Sequence, residues 1–293
     1  MKYTLTGGSG FGFHYWKAFG ECPRRATLDI LARGDDDSTS SSAFGTEVGS
    51  YAHGFLDLYY SCGRQFDAST VDFDPPPTQG VFDEACRLYE WYSDKFGATE
   101  LGRVVATERA FPFEGDDSQR IAIEHAVGVS PFTFRPDLEV EIDEPAAALI
   151  GMTRNFDVEP GKYLVDHKFY QSQKQTLAAA MLNSLQFTAY QLARNAAIPN
   201  DPVRGLIANI VIKTKEPRSV SFVVPPPKRR DIDALREALQ FWKWIRDNRP
   251  DTPNPQEEYC FGYRPCKWWT ESVCDRTAMT APLVKLIGRE AIA

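Results

Sequence analysis

The run from Gly161 to Tyr190 limits this chain's fold more than any other stretch: GKYLVDHKFYQ, a polar connection, then the helical pattern LQFTAY, continuing as QLARN. A β-strand turns successive side chains to opposite faces, so Asp166 and Lys168 share one face while His167 points to the other. A carboxylate and an ammonium two residues apart can hold a divalent cation with a water beside it. Taken alone, an Asp-x-Lys at a strand end is a surface ion pair, which is common and nearly neutral. Its meaning depends on what the rest of the chain brings near it.

Before this strand the pattern is mostly helical. Residues 1–13, with their GGSGFG, read as a flexible lead-in. Pro23 suits the first turn of a helix PRRATLDILAR that Gly34 closes. Val48, Ala52, Phe55, Leu56 and Tyr59 recur at helical spacing and predict a helix from Ala43 to Tyr60. Val81 to Phe96 predicts a third helix whose aromatic residues belong to the core. After Gly97 the pattern turns to strands, RVVATERAFPF, RIAIEH, FTFRPDLEVEID, AALIGMTR and KYLVDHKFY. Leu177 to Asn195 returns to helix, GLIANIVIKTK reads as a strand, VVPPPKRR as a basic linker, and DIDALREALQFWKWIRD as an amphipathic helix. This order predicts one α/β domain over residues 1–293, with a helical part at 14–100, a core at 101–224, and a helix with a cysteine-rich tail at 225–293.

The chain has 293 residues, 43% apolar and 25% charged, enough for a full core. It has no apolar run of about 18 residues and no basic-then-apolar leader, which predicts a soluble, cytoplasmic protein without membrane contact. A net charge of −7 argues against a generally basic nucleic-acid coat, yet it permits a local groove whose carboxylates carry metal ions. Cysteines stand at 22, 62, 86, 260, 266 and 274, and the crowding of three near the end points to metal binding more than to disulfides. Cys62 and Cys86 read as structural.

Phosphodiester hydrolysis by magnesium needs hard oxygen ligands and a group that orients water. Asp166 offers a carboxylate, the His167 peptide carbonyl a second oxygen, and Lys168 a cation. A second acid has to come from a neighbouring strand, and Asp137 in RPD competes with Asp157. Asp157 lies close to the turn at Pro160-Gly161, away from the level of Asp166, so Asp137 is the better candidate. His53 stands four residues after Gly49, on one helix face, where the glycine opens room above the imidazole. Gln186, Tyr190 and Arg194 form a polar stripe at helical spacing.

Together, Gly49-x-x-x-His53, Pro136-Asp137, Asp166-x-Lys168 and Gln186-x-x-x-Tyr190 resemble the motifs of the RecB-type PD-(D/E)XK nuclease superfamily, including phage and CRISPR-adaptation exonucleases. The resemblance spans residues 14–275. It implies a restriction-endonuclease-like core, a mixed central sheet flanked by helices, and a metal-dependent deoxyribonuclease, an exonuclease above all, acting in recombination, repair or phage DNA metabolism. It further implies His53, Asp137 and Asp166 as ligands of Mg2+ or Mn2+. Lys168 would activate water or steady charge, and Gln186 and Tyr190 would position a DNA strand that is single-stranded or has a free end. The long gap between Asp137 and Asp166 departs from a simple hairpin and has to contain an insertion. A subset of these nucleases looks like iron-sulfur proteins with one cysteine near the start and three near the end. Cys22, followed by Pro23, and Cys260, Cys266 and Cys274 fit that layout, which implies a 4Fe-4S cluster joining the two chain ends, with zinc as the alternative. Competing readings are a catalytically silent nuclease-fold protein that binds DNA or a recombination partner, and a small-molecule metal hydrolase. Intact Asp166 and Lys168 weigh against the first, and the stripe ending at Arg194 weighs against the second.

Overall fold

The computed structural model describes residues 1–5, 11–33, 44–62, 66–96, 101–170, 181–182 and 184–250. Its centre is a five-stranded mixed sheet in sequential order, made of β3 (Arg103–Thr107), β4 (Leu138–Ile142), β5 (Gly161–Tyr170), β6 (Gly205–Ile212) and β7 (Arg218–Val224). β3, β4 and β5 run antiparallel in turn, β5 and β6 pair in parallel, and β7 returns antiparallel to β6. The middle of β5 and all of β6 are buried on both faces, which is why YLV and GLIANIVI runs replace alternation there.

Helices cover both faces. Leu138, Val140, Tyr163, Val165, Ile207 and Val211 point into a core shared with α3 (Phe44–Ser61) and α4 (Gln79–Phe96). Leu164, Leu206, Ala208 and Ile210 point the other way, against α1 (Phe13–Glu21), α5 (Asp117–Val127), α7 (Leu185–Ala197) and α8 (Arg229–Asn248). The remaining helices are α2 (Pro23–Arg33) and α6 (Glu144–Arg154). A small parallel pair, β1 (Lys2–Thr4) with β2 (Asp72–Asp74), sits beside α3. Among the described residues no helix is long and apolar enough to cross a membrane.

Several expected elements take another form. RIAIEH is helix α5: its β-branched residues suggest a strand, but Asp116 caps the helix by accepting from Gln119 N–H and Gly128 ends it at φ +86°. Only Gln119, Ile123 and Val127 of that helix are buried, at i, i+4 and i+8. AALIGMTR belongs to α6, capped by Asp143 through Ala146 N–H, with a proline in the first turn and Asn155 left-handed at the far end. Helix α6 is the insertion between Asp137 and Asp166. The lead-in contains β1 and the start of α1, while the segment around VVPPPKRR holds the end of β7 and the first turn of α8. Predicted boundaries at residues 34, 43, 97 and 177–180 lie outside the described residues, as does the tail from 251 onward.

Candidate active site

The strand register assembles the site. Leu138 pairs with Val165, so Asp137, one residue before β4, comes level with Asp166. Thr107 pairs with Leu138, so Glu108, one residue after β3, comes level with Asp137, and its N–H donates to the Asp137 carbonyl at 3.0 Å. Three carboxylates therefore stand side by side at the ends of three adjacent strands. Asp157 is exposed in the loop that leads to Gly161, the residue of β5 opposite Ile142 and thus at the strand's other end. The level of the second acid belongs to Asp137.

Each carboxylate has a partner. Lys168 Nζ lies 2.9 Å from Asp166 Oδ1 and 2.7 Å from Oδ2. Oδ2 is shielded from solvent and receives no aligned hydrogen bond. Asp137 Oδ2 accepts from the His167 N–H at 2.6 Å and lies 3.5 Å from His53 Nδ1. Glu108 Oε2 lies 2.7 Å from Arg135 Nε. Glu108 itself is held at φ +43°, a left-handed conformation that side chains other than glycine rarely adopt, so strained backbone delivers its carboxylate here.

Crowding and burial shift these groups. Burial, then the neighbouring Asp137, pushes the Glu108 carboxyl up to about 8. Burial also raises Asp137 and Asp166, in each case against the Lys168 charge. Burial alone would lower Lys168, but Asp166 and Asp137 outweigh it and hold the ammonium well above its ordinary value. Burial and Lys168 push His53 down to about 4.

A cleft of about 450 Å³ opens over these groups. Gln186 and Tyr190 line it from α7, with Gln186 Nε2 donating to the Tyr190 hydroxyl at 3.0 Å. Burial and then Asp166 push that phenol up to about 12. His14 reaches the cleft from α1, and burial with the Lys168 charge lowers its pKa. Tyr3, Leu5, Phe13 and Pro75 form an apolar wall beside the charged end.

The structure thus brings together His53, Asp137, Asp166, Lys168, Gln186 and Tyr190. The His167 side chain lies outside the cleft, buried on the opposite face of β5. Its peptide faces the open side beyond the end of β4: the N–H meets Asp137, and a strand residue sends its carbonyl to the same side. Arg194 leaves the expected stripe. It is buried and forms a two-pronged pair with Glu139 of β4, Nε to Oε2 at 2.9 Å and Nη2 to Oε1 at 2.6 Å, so the stripe shortens to Gln186 and Tyr190. At Gly49 a methyl would make an ordinary contact, 3.8 Å from Phe169 Cβ, so the position has room for a small side chain. Cys62, read as structural, is exposed, and Cys22 is buried and in no disulfide among the described residues. Cys260, Cys266 and Cys274 lie outside the described residues.

Sequence reasoning assigned no role to Glu108, Arg135 or His14. Glu108 stands on a strand where the nucleases this chain resembles often carry a glutamate, without a firm role until the register brings it level with Asp137; His14 has a signal only through α1, whose FHYWKAFGE buries Phe13, Trp16 and Phe19 at helical spacing.

The donor set suits a hard divalent cation: carboxylate oxygens, one imidazole, and an Asp166 oxygen buried without an aligned donor. Among the described residues no three His, Cys, Asp or Glu side chains form a ready-made metal cage. Asp166, Asp137 and Glu108 are each turned toward a protein partner, so holding a cation requires their rotation, and magnesium, which keeps several waters, tolerates a partial protein shell.

No protein-family profile matches the chain, and no curated protein matches it. Among solved structures, the chain is similar to one described as a "Putative exonuclease" from Eubacterium rectale, with 12% identity, a TM-score of 0.48, and 81% of each chain covered. It is also similar to SSO0001, with 9% identity, a TM-score of 0.31, and 81% of this chain and 87% of that chain covered. Neither likeness carries a conclusion about this chain.

Proposed function

We propose that this protein is a metal-dependent deoxyribonuclease of the RecB type within the PD-(D/E)XK superfamily. The observation that carries the reading is the alignment of Glu108, Asp137 and Asp166 on three adjacent strand ends, with Lys168 against Asp166. Mg2+ or Mn2+ held by Asp137 and Asp166, with His53, Glu108 and the His167 carbonyl in reach, would polarise a phosphodiester and lower the pKa of its own water.

The protein groups take distinct roles in this reading. Lys168, kept protonated by its two aspartates, is a poor base; it orients the attacking water by donating a hydrogen bond and stabilises negative charge as it develops on the phosphate. Gln186 and Tyr190 are donors aimed into the cleft that position the strand. The apolar wall of Tyr3, Leu5 and Phe13 beside a cation site suits a nucleotide, whose base is flat and apolar and whose phosphate is charged. DNA with a single-stranded or free end is the proposed substrate, in recombination, repair or phage DNA metabolism. Cys22 is the described member of a proposed thiolate centre with Cys260, Cys266 and Cys274, a 4Fe-4S cluster or zinc.

Incubation with end-labelled single- and double-stranded DNA, with Mg2+ or Mn2+, tests the reading. Wild type should degrade DNA, and Asp166→Ala and Lys168→Ala should each lose roughly a hundredfold or more in rate. A wild type that cuts nothing, or variants that cut as well as it does, would overturn it.

A further inference from the structure

The face of β5 turned away from the cleft carries a second polar arrangement. His167 is 1% exposed, and its Nδ1 lies 2.8 Å from Asn209 Nδ2, on the residue paired with it in β6. Asn209 also donates to the Tyr92 hydroxyl at 3.1 Å and accepts from the Ser221 hydroxyl at 2.8 Å. The Tyr92 and Tyr60 hydroxyls lie 2.9 Å apart, and the Tyr60 ring stacks on the imidazole at 5.9 Å and 20°. With both Asn209 amide hydrogens donated, His167 Nδ1 accepts and Nε2 carries the proton. Nε2 is buried and has no hydrogen-bond partner. The position therefore uses one acceptor nitrogen and leaves the other idle.

The reason lies in the sheet. β4 ends at Leu138, opposite Val165, so from Asp166 onward β5 keeps a backbone ladder only on its β6 side. Asp137 replaces part of the missing strand by accepting the His167 N–H. The imidazole supplies the other anchor, on the far face. It also reaches α3, because Tyr60 stands two turns after His53 on that helix and the His53 ring centroid is 6.3 Å from that of His167.

We propose that the His167 side chain, through Asn209, Tyr92 and Tyr60, is a positioning residue that locks helix α3 to strand β5 and so fixes the spacing between His53 and the Asp166–Lys168 pair. The inference rests on the nuclease reading above.

Two substitutions separate positioning from packing, and the peptide carbonyl survives both. In His167→Asn the side-chain oxygen can take the place of Nδ1 as acceptor for Asn209, but the smaller residue leaves a cavity. In His167→Leu the space is filled and the acceptor is lost. Packing alone ranks leucine above asparagine, whereas positioning ranks asparagine above leucine. The measurements are kcat and KM on labelled DNA with Mn2+, Mn2+ affinity by calorimetry, and thermal midpoints. The expected result is a kcat loss of about tenfold or more in His167→Leu at nearly unchanged KM, with most of kcat kept in His167→Asn, whatever the order of their midpoints. His167→Leu cutting at the wild-type rate, or His167→Asn losing as much kcat as His167→Leu, would overturn the inference while leaving the nuclease reading intact. A wild type that neither cuts DNA nor binds Mn2+ would remove both, and wild type alone reports that.

Discussion

Glu108 shows how far a single residue can depart from what its type suggests. Its carboxyl, pushed up to about 8 by burial and by Asp137, keeps a proton in the folded protein that the unfolded chain gives up near its ordinary value of 4.5. Folding therefore binds protons between those two values, and this group's share of stability falls as pH rises through that window and levels off above about 8. Asp137 and Asp166 are shifted in the same direction by burial and add to the slope in the same sense. Burial lowers His14, His53 and His167, which oppose this slope below their ordinary value of 6.5, so the decline belongs to the range above it. Denaturation followed from about pH 7 to 8 should show declining stability, and Glu108→Gln should flatten the decline; an unchanged slope would remove Glu108 as its source. A divalent cation competes with protons for the same oxygens, so its effect has the opposite dependence. At about a hundred times its dissociation constant it should stabilise by about 2.7 kcal/mol, enough to raise the thermal midpoint by several degrees. Mg2+ or Mn2+ should thus protect the protein more at pH 8 than at pH 5.5 in thermal scans. Equal protection at both values would place the ion elsewhere.

At the scale of elements, helix α7 is held against β4 by a charge pair with almost no access to water. Arg194 and Glu139 are 1% and 2% exposed, and the guanidinium also donates to the Asp201 carbonyl at 3.2 Å. Removing one partner strands the other charge in the core. Arg194→Met should cost about 3–5 kcal/mol in urea unfolding, and Arg194→Met with Glu139→Leu should recover much of it. A single variant as stable as wild type would mean that the pair is not what seats α7. The same pair shows where the sequence was legible and where it was not. The spacing of Gln186, Tyr190 and Arg194 places all three on a helix, yet only the register of Glu139 in β4 reveals that the third turns inward. Helices α3, α4 and α8 were readable because their apolar period runs for four or more turns. Helices α5 and α6, three turns each, read as strands because isoleucine and alanine runs outweighed the caps at Asp116 and Asp143. Asp166, Lys168, His53, Gln186 and Tyr190 were legible as spacings along single elements. Asp137 was preferred to Asp157 because the turn at Pro160-Gly161 sits beside Asp157, but seeing Glu108 level with Asp137 requires knowing which residues pair across strands, and periodicity within a strand leaves that open.

Across the whole molecule, the first helices and the last described one form a single layer. α1 packs on α8 so closely that a methyl on Gly20 would overlap the Trp242 indole, and Gly20→Ala should therefore cost about 1–3 kcal/mol in denaturant unfolding. One helix further, the Thr27 hydroxyl donates to the carbonyl of Pro250 at 2.6 Å, joining α2 to the last residue described. Cys22 lies at the junction of α1 and α2, buried, with its N–H on the Ala18 carbonyl at 2.9 Å. The proposed centre would draw one thiolate from here and three from Cys260, Cys266 and Cys274. Metal binding at such a centre would close a loop of more than two hundred residues, so its free energy would become folding free energy. Anaerobically purified protein should then carry iron with the brown absorption of an iron-sulfur cluster, or, failing that, zinc by elemental analysis. Cys22→Ser should lose most of that metal. A chelator should lower the thermal midpoint of wild type and leave that of Cys22→Ser unchanged, because the variant has no such centre to strip. Wild type free of both metals, or a Cys22→Ser variant that keeps its full complement, would separate Cys22 from the tail cysteines and leave the α1–α8 packing as what joins the two ends.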